Sequence, residues 1–194
     1  MFTLHHLKKK DSMPRIILCL VFLAISFASV SQKYKPVDAG SKIHFIIKNF
    51  GIDTGGDLSG LAGDINFVPA NVTASNFNVS ISANTIDTDN DSRDSELKSK
   101  KYFDAEKYPA ILIRSTKINK TNKSSLGWYH FTGTLTMHGV TKPIAFLFIV
   151  TPKEKDYLFV GGFTINRLDF GVGSNSTVLS NSVKISLSVL AKKS

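Results

Sequence analysis

Apolar and polar residues alternate one by one over much of the chain beyond residue 31. Phe77-Asn78-Val79-Ser80-Ile81-Ser82 puts three apolar side chains on one side and three polar ones on the other. Phe131, Gly133, Leu135 and Met137 alternate with Thr132, Thr134, Thr136 and His138. Val183, Ile185, Leu187 and Val189 do the same with Lys184, Ser186 and Ser188. Each run predicts a strand with one dry side and one wet side. Ile43, Phe45 and Ile47 share a face that Ile46 partly mirrors, and Ile111 and Ile113 flank Leu112. The stretch from Ile144 to Val150 is apolar on both sides, which predicts cover from a loop or a partner chain and admits a homodimer. Pro143 is expected to open that strand, where proline costs no ladder bond. Gly55-Gly56, Gly161-Gly162, Gly171 and Gly173 are expected at turns, bulges or bends.

Only two segments read as helical. Ala70 to Ser75 allows one turn, and Ser92 to Tyr102 a short helix with Ser92 as its cap and Asp94 and Glu96 near its positive end. No helix alternates with strands at the spacing that a parallel sheet needs. The expected class is therefore all-β, with about eight antiparallel strands and one or two short helices. A closed barrel and a two-layer sandwich fit this pattern equally well.

The first thirty residues differ in kind. Lys8, Lys9, Lys10 and Arg15 precede the apolar run Ile16 to Phe27, which small residues follow at Ala28, Ser29 and Ser31. That layout predicts a cleaved secretory signal over residues 1–31, since a bilayer span needs about 20 apolar residues. The expected mature domain, 32–194, is periplasmic or secreted and holds no stable membrane insertion. Cys19, the one cysteine, would leave with the signal. The domain must then stand on packing and backbone pairing without disulfides.

The composition excludes several functions. Without residues 1–31 the surplus is 24 − 4 = 20 Lys and Arg over 15 − 1 = 14 Asp and Glu, spread without a basic block, which argues against nucleic acid and suits a protein near anionic surfaces. Asp87, Asp89 and Asp91 resemble the start of a calcium loop. Its sixth and twelfth positions, however, are Ser92 and Lys98 where Gly and Glu belong. His130 and His138 stand about 26 Å apart on an extended strand, so they cannot share one metal. No cysteine remains for nucleophilic chemistry, and no Gly-x-Ser-x-Gly elbow occurs. Neither a metal, a cofactor nor an enzyme activity is expected. What remains is the apolar side of the strands, rich in Phe, which has no hydrogen-bonding group to satisfy. It can form a solid core or line a cavity.

Several segments in order resemble the YceI-like polyisoprenoid-binding family. They begin with Ser41-Lys42-Ile43-His44-Phe45 and Ile86-Asp87-Thr88, continue through Arg93-Asp94, Leu97, Tyr102-Phe103-Asp104 and Tyr108-Pro109, and reach Gly133 to Pro143 and Ile165 to Gly171. Together they span Tyr34 to about Leu190. Glu96 stands where such proteins often carry His, another His is often found near the position of Asn49, and the Gly-x-Trp signature of lipocalins proper is absent. The resemblance implies an extended, lipocalin-like eight-stranded barrel enclosing an isoprenoid-type amphiphile, such as a polyprenyl lipid or isoprenoid quinone. A carrier or reservoir is the implied function, and a solid-cored assembly module acting through the doubly apolar strand is the alternative. Expected tail contacts are Ile43, Phe45, Ile47, Phe77, Val79, Ile81, Phe131, Leu135, Phe146, Phe148, Phe163 and Ile185. Arg93 and Arg167, with Arg114 behind them, are the expected head-group contacts, because an arginine fork matches a phosphate. The competing role for these arginines is loop bracing through ion pairs with Asp94, Asp104 or Asp169.

Overall fold

A computed structural model describes residues 32–121 and 127–194; the expected signal over residues 1–31, with Cys19, lies outside the described residues. The alternating runs become nine strands. They are β1 (Lys33–Asn49), β2 (Ile52–Leu58), β3 (Ala62–Asn66), β4 (Asn76–Ser82), β5 (Ala110–Lys120), β6 (Trp128–Met137), β7 (Val140–Lys153), β8 (Asp156–Asn166) and β9 (Leu179–Lys193). All neighbours pair antiparallel, and β1 also pairs with β9, from Tyr34↔Lys193 to Asn49↔Leu179. That ladder closes the sheet into a barrel and excludes the sandwich. β2 and β3 lie along the same edge of β1, β2 beside Ile43–Asn49 and β3 beside Lys33–Tyr34. The two segments fill one position between them, so nine strands make an eight-stranded barrel.

Side-chain parity then decides what faces the axis. One end of the barrel is filled by aromatic rings. Phe67, only 2% exposed, meets Tyr129, Tyr157 and Phe159 at centroid distances of 5.4, 5.3 and 5.5 Å, each edge to face. Tyr34 packs on Tyr157 in the same way at 5.2 Å. Such pairs contribute about 0.5–1.5 kcal/mol each beyond simple burial.

The wall opens out toward the other end. β7 and β8 pair only from Phe148↔Gly161 to Lys153↔Asp156, so β7 before Phe148 has no partner on its β8 side. Pro143 lies there, opposite Thr134 and inside the strand rather than at its start. A residue without an N–H is tolerated because that edge has no ladder to complete. Side chains close this split in place of backbone: the Phe146 and Phe163 rings stack at 5.0 Å, and Leu135, Met137, Phe170 and Val172 form a second cluster below them. The glycine pairs in β2 and β8 are not turns. A Cβ on Gly161 would come within 2.9 Å of the Phe148 Cβ, so these glycines permit close strand approach.

Leu147 and Ile149, expected to be covered by a loop or partner, are half-buried on the wall itself, where Ile149 stands between Trp128 and Val160. The helix also differs from expectation. It is α1 (Asp91–Lys98), capped by Asn90, whose side chain accepts from the Arg93 N–H at 2.9 Å; Ser92 lies within its first turn. It ends before Tyr102 because the Ser99 N–H turns back to the Glu96 carbonyl, and the apolar pair Tyr102-Phe103 swings toward the barrel. The expected turn at residues 70–75 is a 3₁₀ turn over Val72–Ala74.

Replacing the Phe67 ring removes its contacts with Phe77, Tyr129, Tyr157 and Phe159 at once. Phe67→Ala is expected to lower stability by about 3–5 kcal/mol, read as a shift of the urea midpoint at unchanged slope.

Candidate functional site

The space inside the barrel is a cavity of about 560 Å³, within the roughly 300–1,000 Å³ typical of small-molecule sites. Its deep end rests on Ile65, Phe77, Phe159 and Val189, directly above the ring cluster around Phe67. From there it runs to a mouth made by the β1–β2 hairpin, the segment carrying α1, and the loop between Phe170 and Leu179. The interior is therefore hollow, as the resemblance implies, and not the solid core of the alternative.

All twelve residues expected to touch a tail line this cavity. β1 supplies Ile43, Phe45 and Ile47, β4 supplies Phe77, Val79 and Ile81, and β6 supplies Phe131 and Leu135. Phe146 and Phe148 come from β7, Phe163 from β8 and Ile185 from β9. Phe131, Phe146 and Phe163 form a continuous stack, at 4.7 and 5.0 Å between successive centroids. The lining also includes residues that strand alternation does not mark: Leu97, Tyr102 and Phe103 from the crossing segment, and Val172, Val178 and Leu179 from the mouth loop. The signal available for the first three was three apolar side chains in a stretch otherwise polar.

The arginines separate into three situations. Arg93 borders the cavity near the mouth; its Nε donates to the Thr88 hydroxyl at 2.7 Å and its Nη2 to the Thr88 carbonyl at 2.5 Å. Asp94 does not pair with it and instead accepts from the Thr88 N–H and hydroxyl. Arg93 thus reaches the cavity with no carboxylate partner among the described residues. Arg167 also borders the cavity but is only 2% exposed. Its guanidinium donates to the carbonyls of Ser180, Val172 and Ser174 and to the Asn181 side chain, at 2.8–3.0 Å. Burial lowers its pKa, against an opposing effect of Tyr102. Arg167 is thus a brace for the mouth loop, through backbone carbonyls rather than the expected ion pairs. Arg114 lies elsewhere than expected. It lies exposed on the outer wall, bonded to Asn78 at 3.1 Å, and does not border the cavity. Ile113 and Ile111 face inward on β5, so Arg114 must face out.

His44 and Asp57 brace the hairpin on the mouth side. The His44 Nδ1 lies 2.5 Å from the Asp57 carboxylate, with Lys42 at 3.4 Å. Burial raises the Asp57 pKa, but the bonds from His44 and Lys42 outweigh it and hold the group below the usual carboxylate range. The Asp57 backbone also exchanges both hydrogen bonds with Asp87, at 2.8 and 3.0 Å, tying β2 to the segment that crosses the mouth. Asp87, the first position of the rejected calcium loop, accepts the Asp89 N–H instead. Among the described residues no three His, Cys, Asp or Glu side chains converge as metal ligands would.

Comparison with known proteins places this architecture. The model of the YceI-like domain matches residues 34–191. The chain belongs to the YceI-like family. A UPF0312 protein of Yersinia enterocolitica is 29% identical over 177 residues, covering 88% of this chain and 90% of the relative. Among solved structures, this YceI-like barrel is similar to BcnA of Burkholderia cenocepacia, with a TM-score of 0.74 and 24% identity over 80% of this chain and 99% of that one. It also resembles the Campylobacter jejuni YceI protein, at 0.62 and 28%, over 72% of this chain and 84% of that one. A polyisoprenoid binding domain from Saccharophagus degradans shares the fold at 0.66 and 15%, over 83% and 98% of the two chains.

Two outcomes are expected of the braces. Arg167→Ala leaves several buried carbonyls without donors and should cost about 2–4 kcal/mol, with faster amide exchange confined to residues 171–181. Asp57 is more acidic folded than unfolded, so its stabilisation is complete above the unfolded pKa and disappears as pH falls through the lower folded value. Thermal melts should show Asp57→Asn and wild type converging in strongly acidic buffer and separating toward neutral pH, with wild type the more stable.

Proposed function

We propose that this protein is an exported carrier or reservoir that sequesters an isoprenoid-type amphiphile, a polyprenyl lipid or isoprenoid quinone, in its barrel. One observation carries the proposal: an apolar cavity, floored by aromatic rings at one end and open at the other, where polar groups brace the mouth. Burying each methylene gains about 0.8 kcal/mol, so a five-carbon unit contributes about 3–4 kcal/mol. Association and ordering of the flexible tail offset part of that gain. Two or three enclosed units suffice for useful affinity without any strong polar contact. The flat Phe131–Phe146–Phe163 stack suits the planar, branched face of a prenyl chain.

Arg93, with Thr88 and Lys101, would meet the head group at the mouth. A guanidinium without a carboxylate partner favours phosphate or another oxygen-rich head over a neutral one. The binding relative from Saccharophagus degradans supports the class of tail, and the basic-then-apolar layout of Lys8 to Phe27 supports export.

Mass spectrometry of solvent extracts from the purified mature protein tests this reading. The expected result is a prenyl lipid in near-stoichiometric amount; no lipid, together with no uptake of added prenols, would refute it. Ile47→Glu puts a carboxylate at the outer end of the lining, where solvent limits the folding cost. It should lower prenol uptake by about tenfold or more in a titration followed by intrinsic fluorescence. Arg93→Leu should reduce the preference for a prenyl phosphate over the matching alcohol while leaving the alcohol's affinity nearly unchanged.

A further inference from the structure

Two large apolar side chains stand out in the described residues: Phe50 is 73% exposed and Ile52 is 70% exposed. Both belong to the β1–β2 hairpin, where Asn49 faces Ile52 across the two-residue turn Phe50-Gly51. Phe50 has φ +50° and Gly51 φ +78°, the backbone of a type I′ turn. Asn or Asp is favoured at the first of these positions, and a bulky aromatic there is strained. The fold contains a second such turn for comparison, His138-Gly139 between β6 and β7, with φ +51° and +74°. His138 has a visible reason for its conformation. Its Nδ1 lies 3.1 Å from the Phe170 carbonyl, and its ring packs on Tyr108 at 5.4 Å. Phe50 has no corresponding side-chain bond or ring contact among the described residues. The fold therefore gains nothing from its phenyl group, and the reason for that group lies outside the fold.

Its position suggests what that reason is. The Phe50 N–H donates to the Val178 carbonyl at 2.9 Å, and Val178 is itself 38% exposed, so an apolar ridge joins the hairpin to the mouth loop. Asn49 and Thr54 on one side and Ser176, Val178 and Leu179 on the other border the cavity. The ridge is thus the rim of the entrance. The loop Gly171 to Val178 carries no charge at all. Beside it, where the Gly173 N–H bonds the Lys101 carbonyl, stand Lys98, Lys100 and Lys101, the last paired with Glu96 at 3.0 Å. An apolar tip next to an uncharged loop, with lysines in excess of the one glutamate beyond it, matches the interface of a bilayer with anionic lipids.

We propose that the Phe50–Ile52 hairpin tip and Val178 dock the cavity mouth onto an anionic membrane surface, so that a lipid tail crosses between bilayer and barrel without passing through water. The proposal rests on the tail-binding reading of the cavity. The contact is peripheral: no helix of the described residues is long and apolar enough to cross a membrane.

The test pairs F50N with I52T, since Asn-Gly is the preferred type I′ turn and Thr is a good strand residue. Co-sedimentation with phosphatidylethanolamine–phosphatidylglycerol vesicles should show wild type bound and the double variant weakened about ten- to a hundredfold, with an unchanged or higher melting temperature. Wild-type binding should weaken at least about tenfold on pure phosphatidylcholine. Equal vesicle binding by both proteins, or none by wild type, overturns the proposal. So does a wild-type dimer in light scattering that the double variant loses, since the tip would then serve a second copy of the chain. Uptake of geranylgeraniol from cyclodextrin, where no membrane takes part, should be the same for both proteins. Failure of wild type in that assay would count against the tail-binding reading alone, and the vesicle result would still decide the docking.

Discussion

The ladder between β1 and β9 joins the first strand to the last along nearly their whole lengths. Without it the sheet would have two free edges and its apolar face could fold flat onto itself or pair with other chains. With it, the inner faces of eight strands are held at a fixed radius, and the strands cannot approach to fill the axis. The hollow follows from that closure. Phenyl and branched side chains point inward from every wall and still leave space between them, because the backbone ring sets how far apart their Cα atoms stand.

Closure alone would leave a tube open at both ends. The two ends are finished by different chemistry. At one, rings from β1, β6, β8 and the residue after β3 interlock edge to face, a packing that excludes water and has few polar atoms to satisfy. At the other, polar groups do the bracing: Arg167 gathers the carbonyls of the mouth loop, Asp94 and Arg93 converge on Thr88, and Asp57 meets His44. The division gives the cavity a direction, with an apolar floor and a wet entrance.

Much of this was legible along the chain because strand parity is a local property. Phe77, Val79 and Ile81 line the cavity for the same reason that Asn78 between them faces out, and no knowledge of the neighbouring strand is needed. The same parity places Arg114 outside, one residue from inward-facing Ile113; the expectation of a head-group contact there set local alternation aside in favour of charge. Closure was not legible, since β1 and β9 lie at opposite ends of the domain and alternation does not encode which strands meet. The shared edge of β2 and β3 escaped for the same reason. The crossing segment escaped because Leu97, Tyr102 and Phe103 follow neither a strand nor a helical period, and only the position of the segment over the mouth turns them inward. Asn90 as cap instead of Ser92 is a shift of two residues, within the usual uncertainty of helix ends.

The seam between β1 and β9 also constrains how the molecule can be assembled. Tyr34 must wait for Tyr157, and β1 must wait for β9, so the decisive pairings span most of the domain. Such long loops close slowly relative to hairpins. Until β9 has been synthesised, β1 has no partner on that edge, and the growing chain can hold only open, incomplete sheets. The barrel can therefore shut only once β9 is available to supply the closing seam.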